Sequence, residues 1–434
     1  MTRDATAQNR ESSGLARTLG LPGLLCYGVG LIVGAGVYSV IGAAAHEAGD
    51  ALWQSLALGA LAALLTGLAY AELATMFPRA GAESVYLAEA FPQARWLSEL
   101  VGAVLLLASA AAATTVALAF GGYLRVFTDV PAPVSAVALL VAATGLNLVG
   151  MRQSTALNAV FTLIEVGGLC LFVAFAATRS EFGAALATAP HVGVLGGTAI
   201  VFFAYLGFED LANLAEEAKD PGRDLPRAIL FGVAITGTLY VLVGLAAVAV
   251  ATPAALAASS SPLSDGIRGI SPGAANVLAA VALFSTANTA LIVLVASSRM
   301  LYGMARDGAM PALFAVVSGR KAPWRAALAL LGVALALVPL RDVSAVAGLS
   351  SFAALLGFAA VDVSVVVLRR TRPDLPRPFR VPLAIRGIPV LPVTGAVAAL
   401  ALATQFERTV YVAGAVSLAL AATLVGARRL TARP

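Results

Sequence analysis

Apolar stretches follow one another along almost the whole chain, and short polar turns separate them. A helix crosses the hydrocarbon core of a bilayer with about 20 apolar residues. The pattern therefore predicts an all-α polytopic membrane protein with 12 transmembrane helices. We place these spans at residues 19–45, 51–77, 96–126, 131–149, 153–178, 193–217, 226–251, 273–304, 324–340, 344–368, 388–405 and 409–427.

The polar segments between and around the spans add two expectations. Phe77-Pro78 is a strong helix breaker after the second span, and residues 84–92 are predicted to form a short interfacial helix. Residues 1–16 are polar and contain no apolar core followed by a cleavage site. We therefore expect the first apolar span to be retained in the membrane rather than removed as a signal peptide.

Glycine interrupts the first span. Its apolar residues 28–42 include a cluster of glycines, at Gly28, Gly30, Gly34, Gly36 and Gly42. Glycine weakens a helix interior, and unpaired backbone at membrane depth is tolerated only where it lines a cavity or is buried in protein. The cluster predicts a broken helix whose exposed main chain forms a binding site.

The sixth span shows a corresponding interruption, since Gly207 is followed by Glu209 and Asp210 before the apolar pattern resumes. Two five-span repeats would each begin with a broken helix, and an odd number of spans inserts the second repeat upside down. We predict a five-plus-five inverted repeat with two extra C-terminal helices. Its parts are a tail at 1–16, repeats at 17–178 and 190–370, spans eleven and twelve at 386–428, and a tail at 429–434.

The ends of the half-helices predict the chemistry of the ligand. The N-terminus of the second half of span one offers free N–H groups that suit a carboxylate. The C-terminus of the first half of span six offers free carbonyl groups that suit an ammonium. A small zwitterion such as an amino acid matches both ends.

Composition narrows the function class. Charged residues make up 12% of the chain and hydrophobic residues 60%, whereas soluble proteins carry about 25% charged residues. We expect no sizeable soluble domain, no nucleic-acid partner, no cofactor and no metal, because neither histidine has metal-ligand spacing. A phosphate loop of a primary pump is also absent from the sequence. A membrane-embedded enzyme and a passive channel remain the alternative classes.

The distribution of basic residues predicts the orientation. With the N-terminus inside, all but five of the 28 Lys and Arg residues fall in the tails and the even-numbered turns. The five exceptions are Arg125, Arg179, Arg268, Arg341 and Arg408. The positive-inside rule therefore places both termini in the cytoplasm, with the plasma (inner) membrane as the expected bilayer.

Four motifs occur in an order that resembles the amino acid–polyamine–organocation (APC) transporters. They are GLIVGAGVY at 30–38, YAELATMFPRAG at 70–81, YLGFE at 205–209 followed by Glu216-Glu217 and Asp220-Pro221, and Ser298-Arg299 with ARDG at 305–308 and Pro311. The resemblance covers spans one to ten and implies a secondary amino acid permease or exchanger that works by alternating access, linked to protons or sodium.

The resemblance also implies site residues. The substrate backbone would be held at Val33, Gly34, Ala35 and Gly36, and at Ala204, Tyr205, Leu206 and Gly207. An aromatic residue at the break of span six, Phe208 or Phe203, would gate the site from outside. In similar bacterial members a lysine of span five stands where sodium-coupled relatives bind the ion. Here NAVFTLIE at 158–165 has Glu165 in that position.

Polar residues inside the spans are candidates for coupling. Asn158, Thr162 and Glu165 share one helical face, and a carboxyl in mid-span normally faces the bundle interior. Glu165 is either a proton-coupling group or a protonated structural carboxyl, and both interpretations stay open. Glu209 either gates the site in response to pH or organises the unwound backbone.

Span eight has a polar middle that includes Ser285, Asn288 and Thr289. Substrate contact, ion binding and interhelical hydrogen bonding compete as its explanation. Glu72, near a span end, is expected to pair with Arg79 or Arg95, and Arg299 is one possible partner of Asp362. Small residues in spans three and eight favour a neutral amino acid as substrate, with cationic amino acids, amines and polyamines as alternatives.

Overall fold

The computed structural model is predominantly helical and describes residues 19–78, 82–149, 155–215, 217–318 and 322–431. Side chains at 155–157 and 424–431 lie outside this description. The predicted tail at 1–16, Arg79 and Glu216 also lie outside the described residues.

The first half of the chain contains ten α-helices in its described parts. The breaks after α1 and α9 coincide with the two glycine-containing sites that the sequence singled out. The helices are α1 (Leu21–Val33), α2 (Gly36–Ala48), α3 (Leu52–Met76), α4 (Ala82–Ala90), α5 (Arg95–Leu124), α6 (Ala132–Val149), α7 (Thr155–Ala176), α8 (Glu181–Ala184), α9 (Gly193–Tyr205) and α10 (Asp210–Asn213).

The second half continues with eight α-helices and one small hairpin among the described residues. The helices are α11 (Pro221–Val250), α12 (Pro253–Ala258), α13 (Pro262–Arg268), α14 (Pro272–Arg306), α15 (Trp324–Leu337), α16 (Val343–Thr371), α17 (Val390–Ala403) and α18 (Arg408–Thr431). Strands β1 (Ala384–Ile385) and β2 (Ile388–Pro389) pair antiparallel between α16 and α17.

Eight helical stretches in the described part of the chain are long and apolar enough to cross a membrane. A ninth is counted if α17 and α18, bent by 114°, form one span. One of the eight, Gly36–Met76, runs for 41 residues and includes both α2 and α3. The apolar helix α1 and the stretch Trp324–Leu340 are shorter. The chain is thus a multi-helix membrane protein, and the count of twelve remains a prediction.

Two short helices between α11 and α14 were missed by the sequence analysis. Each begins with a polar residue followed by proline, since Thr252 precedes α12 and Ser261 precedes α13. The Thr252 hydroxyl accepts a hydrogen bond from the N–H of Ala255 at 3.3 Å. This N-cap and proline pattern is a recognised helix start, but both helices are too short to show an apolar period. They cover α2, where Gly42 lies against the backbone of Leu256.

The turn after α16 is anchored to α3 by a buried ion pair. Both Nε and an Nη atom of Arg369 donate to the Glu72 carboxylate, and Arg377 approaches the same carboxylate at 3.4 Å. The N–H of Val381 donates to it at 2.8 Å. The expected pairing of Glu72 with Arg95 is therefore wrong. The partner of Glu72 is thus not a basic residue at a nearby helix end, but Arg369, which lies nearly 300 residues later in the sequence.

Candidate functional site

The break in span one leaves polar backbone groups exposed at the start of α2. Helix α1 ends at Val33, and the N–H of Ala35 donates to the Thr289 hydroxyl of α14 at 3.0 Å. Within the described residues the N–H groups of Gly36 and Val37 form no hydrogen bond. Free N–H groups at a helix N-terminus suit an anion such as a carboxylate.

The break in span six supplies carbonyl groups. Gly207 has φ of 115°, a conformation that residues with a side chain rarely adopt, and the chain turns there before α10. The Glu209 carboxylate accepts a hydrogen bond from the Gly207 N–H at 2.8 Å. In the described part of the chain, no hydrogen bond reaches the carbonyl oxygens of Tyr205 and Leu206. These oxygens are acceptors suited to an ammonium group.

The two breaks are in direct contact. A Cβ atom on Gly36 would lie 2.5 Å from the Cα of Ala204, so only glycine permits this approach. A Cβ atom on Gly207 would similarly lie 2.8 Å from the carbonyl oxygen of Leu31. The free N–H groups of α2 and the free carbonyl groups of α9 are thus brought to one place.

Tyr240 of α11 connects the same two breaks, and the sequence analysis missed it. Its hydroxyl lies 2.7 Å from the carbonyl oxygen of Ile32 and 3.2 Å from those of Val33 and Ala204. The one hydroxyl proton is therefore shared between the last turns of α1 and α9. The only signal in the sequence is a lone tyrosine in an apolar span, which points to a polar partner inside the bundle.

The Tyr205 side chain points away from the contact between the breaks. Its hydroxyl donates to the Leu56 carbonyl of α3 at 2.6 Å, and its ring packs against Tyr240. Tyr205 therefore contributes a backbone carbonyl to the site, while its side chain packs between α3 and α11. Phe203 is buried within α9 at 5% exposure.

Glu165 lies in a polar cluster that joins α2, α7 and α14. Asn288 donates to its carboxylate at 3.4 Å, and the buried Ser285 hydroxyl beside it has no hydrogen-bond partner among the described residues. Tyr38 donates to the Glu165 backbone carbonyl at 3.3 Å. The predicted residues Glu165, Asn288 and Ser285 are thus brought together, next to the Thr289 contact with the span-one break.

Thr162 lies one turn before Glu165 and contacts α1. Its hydroxyl donates to the Asn158 carbonyl at 3.0 Å and lies 3.4 Å from the Cys26 carbonyl. A Cβ atom on Gly30 would overlap this hydroxyl. The close packing of α7 on α1 therefore depends on Gly30, and α7 contacts both halves of span one.

Phe208 packs on the side of the break that faces α4. Its ring lies 5.7 Å from Tyr70 and 5.2 Å from Phe358, measured between ring centroids. Tyr70 in turn stacks edge-on against Tyr86. We call Phe208, Tyr70, Tyr86 and Phe358 the aromatic layer. It separates the break from the α4 side of the bundle.

Asp362 of α16 is separate from this site. Its Oδ2 atom accepts a hydrogen bond from Thr66 at 3.1 Å, while its buried Oδ1 atom has no partner in the described part of the chain. Gly395 of α17 leaves the space that the carboxyl occupies. Arg299 is exposed and does not pair with it.

A family model described as amino acid permease matches residues 19–424. The chain belongs to the amino acid permease family. Its helices and its family together make it an integral, multi-pass membrane protein and a transporter rather than an enzyme. The resemblance seen in the four motifs is thereby confirmed.

Relatives of this permease differ in what their names say they carry. The chain is 29% identical over 429 residues to the branched-chain amino acid permease of Bacillus subtilis, covering 90% of this chain and 88% of the relative. It is 29% identical over 417 residues to the methylthioribose transporter of that species, with the same coverage. Identity to the vacuolar cationic amino acid transporter 2 of Arabidopsis thaliana is 32% over 411 residues, covering 86% of this chain and 63% of the relative.

Proposed function

We propose that this permease carries a neutral α-amino acid across the membrane by alternating access. The observation that carries the proposal is the contact between the two breaks, where free N–H groups of α2 meet free carbonyl groups of α9. Such ends bind the carboxylate and the ammonium of one zwitterion. Apart from Glu165, which is assigned below to the coupling proton, the nearby side chains Thr289, Asn288 and Ser285 are uncharged, which favours a neutral substrate side chain. A branched-chain permease among the relatives supports the same class.

The proposed architecture has twelve crossings. Helices α1 and α2 together make the first, and the 41-residue stretch Gly36–Met76 is long enough to contribute to two. The stretch Trp324–Leu340, α17 and α18 then complete the count as spans nine, eleven and twelve. In this arrangement the two broken helices open two inverted five-span repeats, 17–178 and 190–370. Alternating access follows as rocking of one part of the bundle about the fixed site.

We assign the coupling ion as a proton and Glu165 as its carrier. A buried carboxyl with amide and hydroxyl neighbours exchanges a proton without leaving an ion pair broken. Glu165 is linked to α2 through Tyr38, and Thr162 of the same helix contacts α1. Glu165 therefore lies on a helix that contacts both halves of span one. Sodium coupling or exchange is the alternative, and it predicts uptake that depends on sodium or on an internal substrate.

The experiment is thermal stabilisation of the purified permease by amino acids, because a ligand that binds only the folded state raises the apparent stability. We expect neutral α-amino acids to raise the Tm, and lysine, putrescine and methylthioribose to have no effect. Stabilisation by lysine alone would contradict the neutral substrate. Stabilisation by none of them would contradict the proposed ligand class.

Proton coupling is tested in proteoliposomes with an imposed pH gradient. We expect Glu165→Gln to abolish gradient-driven accumulation while still exchanging substrate across the membrane. Asp362→Asn is the matched control, since it also neutralises a buried carboxyl in a span but lies away from Asn288. Accumulation that survives in Glu165→Gln, or that requires sodium, would contradict the assignment.

A further inference from the structure

Three carboxyl groups lie on the α4 side of the span-six break, and none of them has a basic partner among the described residues. Glu83 lies in the first turn of α4, and Glu209 and Asp210 follow Gly207. None of the ion pairs between described residues involves these three. Each acts electrostatically on at least one of the others. Like charges held together disfavour joint ionisation, so this carboxyl cluster favours retention of a proton.

Hydrogen bonds attach the carboxyl cluster to three elements. The Tyr70 hydroxyl of α3 donates to Glu83 at 2.9 Å. The side chain of Asn213, the last residue of α10, accepts from the Ala82 N–H at 3.1 Å and donates to Asp210 at 3.4 Å. The start of α4 is therefore held to α3 and to α10 at this one place.

The carboxyl cluster is in contact with the aromatic layer. Tyr70 links the two, because its ring packs on Phe208 of the aromatic layer and its hydroxyl donates to Glu83 of the carboxyl cluster. Tyr86, one turn along α4 from Glu83, is fully buried, and its hydroxyl has no hydrogen-bond partner among the described residues. Glu83 is the ionisable group that acts on this hydroxyl. An unused donor beside a carboxyl indicates a second bonding arrangement for Glu83.

We propose that Glu83 is a proton-binding site and that its bound proton keeps the aromatic layer closed. We call this proton-dependent closure the latch. With the proton bound, the neutral carboxyl keeps α4 packed against α3 and α10. When the proton leaves to water on the α4 side, the negative charge on Glu83 faces Glu209 and Asp210, and α4 separates from α10. The aromatic layer then loses the support of α4. This inference deepens the proposed transport function, because it assigns the opening of one side of the site to a specific proton.

Burial raises the pKa of Glu83 to about 7, although hydrogen bonds from its own backbone and from Tyr70 lower it. Among the described residues, the ionisable groups that act on it are Tyr70 from α3, Tyr86 on α4, and the two acids after the break. At the end of α16, Arg369 pairs with Glu72, Arg372 pairs with Glu89, and Arg370 is exposed.

The sign of the pH effect follows from this raised pKa. A carboxyl that binds its proton more tightly in the closed form stabilises that form at low pH. In the open form Glu83 is hydrated and regains its ordinary value near 4.5. The closed form therefore loses relative stability as the pH rises from about 4.5 to about 7, and the loss levels off above that.

Hydrogen–deuterium exchange of the purified permease without substrate tests the latch. Exchange is followed at residues 82–90 and 206–213 from pH 5 to pH 8.5, corrected for the intrinsic pH dependence of amide exchange. We expect protection in wild type to fall as the pH approaches 7 and to be independent of pH in Glu83→Gln. Glu89→Gln is the matched control on the same helix and should behave as wild type. An unchanged pH profile in Glu83→Gln would overturn the proposal.

Tyr70→Phe provides a second test if Glu83→Gln does not fold. It keeps the ring in the aromatic layer and removes the donor that favours ionised Glu83, so the exchange transition should move to higher pH. An exchange transition that occurs at the same pH in Tyr70→Phe as in wild type would contradict the latch. Amino acid uptake is measured separately in proteoliposomes. Absence of the pH-dependent exchange pattern in wild type refutes the latch, whereas absence of uptake in wild type with that pattern intact refutes only the transport proposal.

Discussion

At the scale of single residues, the Tyr240 hydroxyl joins the two broken helices through backbone carbonyl groups. We expect Tyr240→Phe to lower the free energy of unfolding by about 1–3 kcal/mol, because buried carbonyl oxygens lose their donor. Substrate affinity should fall as well, since the breaks lose their shared contact. The measurement is the Tm with and without the stabilising amino acid. Tyr302→Phe is the control, because the Tyr302 hydroxyl forms no hydrogen bond among the described residues. Equal behaviour of the two variants would contradict this role.

The close approach of Gly36 to Ala204 leads to a second prediction for a single residue. A methyl group at this position would overlap the backbone of Ala204, and overpacking of this kind costs about 1–3 kcal/mol. We expect Gly36→Ala to separate the breaks and to abolish amino acid binding in the thermal-shift assay. Gly145→Ala in α6 is the matched control, since its Cβ atom would meet nothing within 4 Å. Retention of full binding by Gly36→Ala would show that the contact between the breaks is dispensable.

At the scale of elements, the turn after α16 is held to α3 by a buried carboxylate. Glu72 is 1% exposed and accepts hydrogen bonds from Arg369 and from the Val381 N–H. We expect Glu72→Gln to cost about 3–5 kcal/mol, because a guanidinium group would remain buried without its counter-charge. The half-exposed pair of Arg372 with Glu89 is the comparison, and Glu89→Gln should cost at most about 1 kcal/mol. Thermal unfolding at pH 7 measures both, and similar losses would contradict the assignment.

The helices also show how much of the fold can be predicted from the sequence. Spans such as 273–304 and 344–368 match α14 and α16 within a few residues, because an apolar run in a membrane leaves only a helix to form. Both breaks were predictable because glycine weakens a helix locally. The Tyr240 bridge and the Glu72–Arg369 pair were not, because each joins groups more than 200 residues apart. Such pairings depend on the packing of the bundle, which local patterns do not encode.

At the scale of the whole molecule, the α4-side halves of both broken helices are joined to each other. Leu19 pairs with the segment around Ala218, donating to the Glu217 carbonyl and accepting from the Lys219 N–H. Further along, Gly28 leaves room for the side chain of Leu211. These contacts make the two halves one unit, so a force applied to α10 at the carboxyl cluster reaches α1 as well. The latch proposed for Glu83 thus acts on the whole α4 side of the site.

The orientation of the molecule gives the last prediction. From the positive-inside rule we expect the α4 side, with its concentration of Lys and Arg, to face the cytoplasm. Two exposed loop positions test this in a Cys26→Ala, Cys170→Ala background, namely Ser180→Cys after α7 and Asp374→Cys after α16. A membrane-impermeant maleimide should label Ser180→Cys in intact cells and Asp374→Cys only after permeabilisation. The reverse pattern would place the Glu83 latch on the outside, where it would respond to external pH.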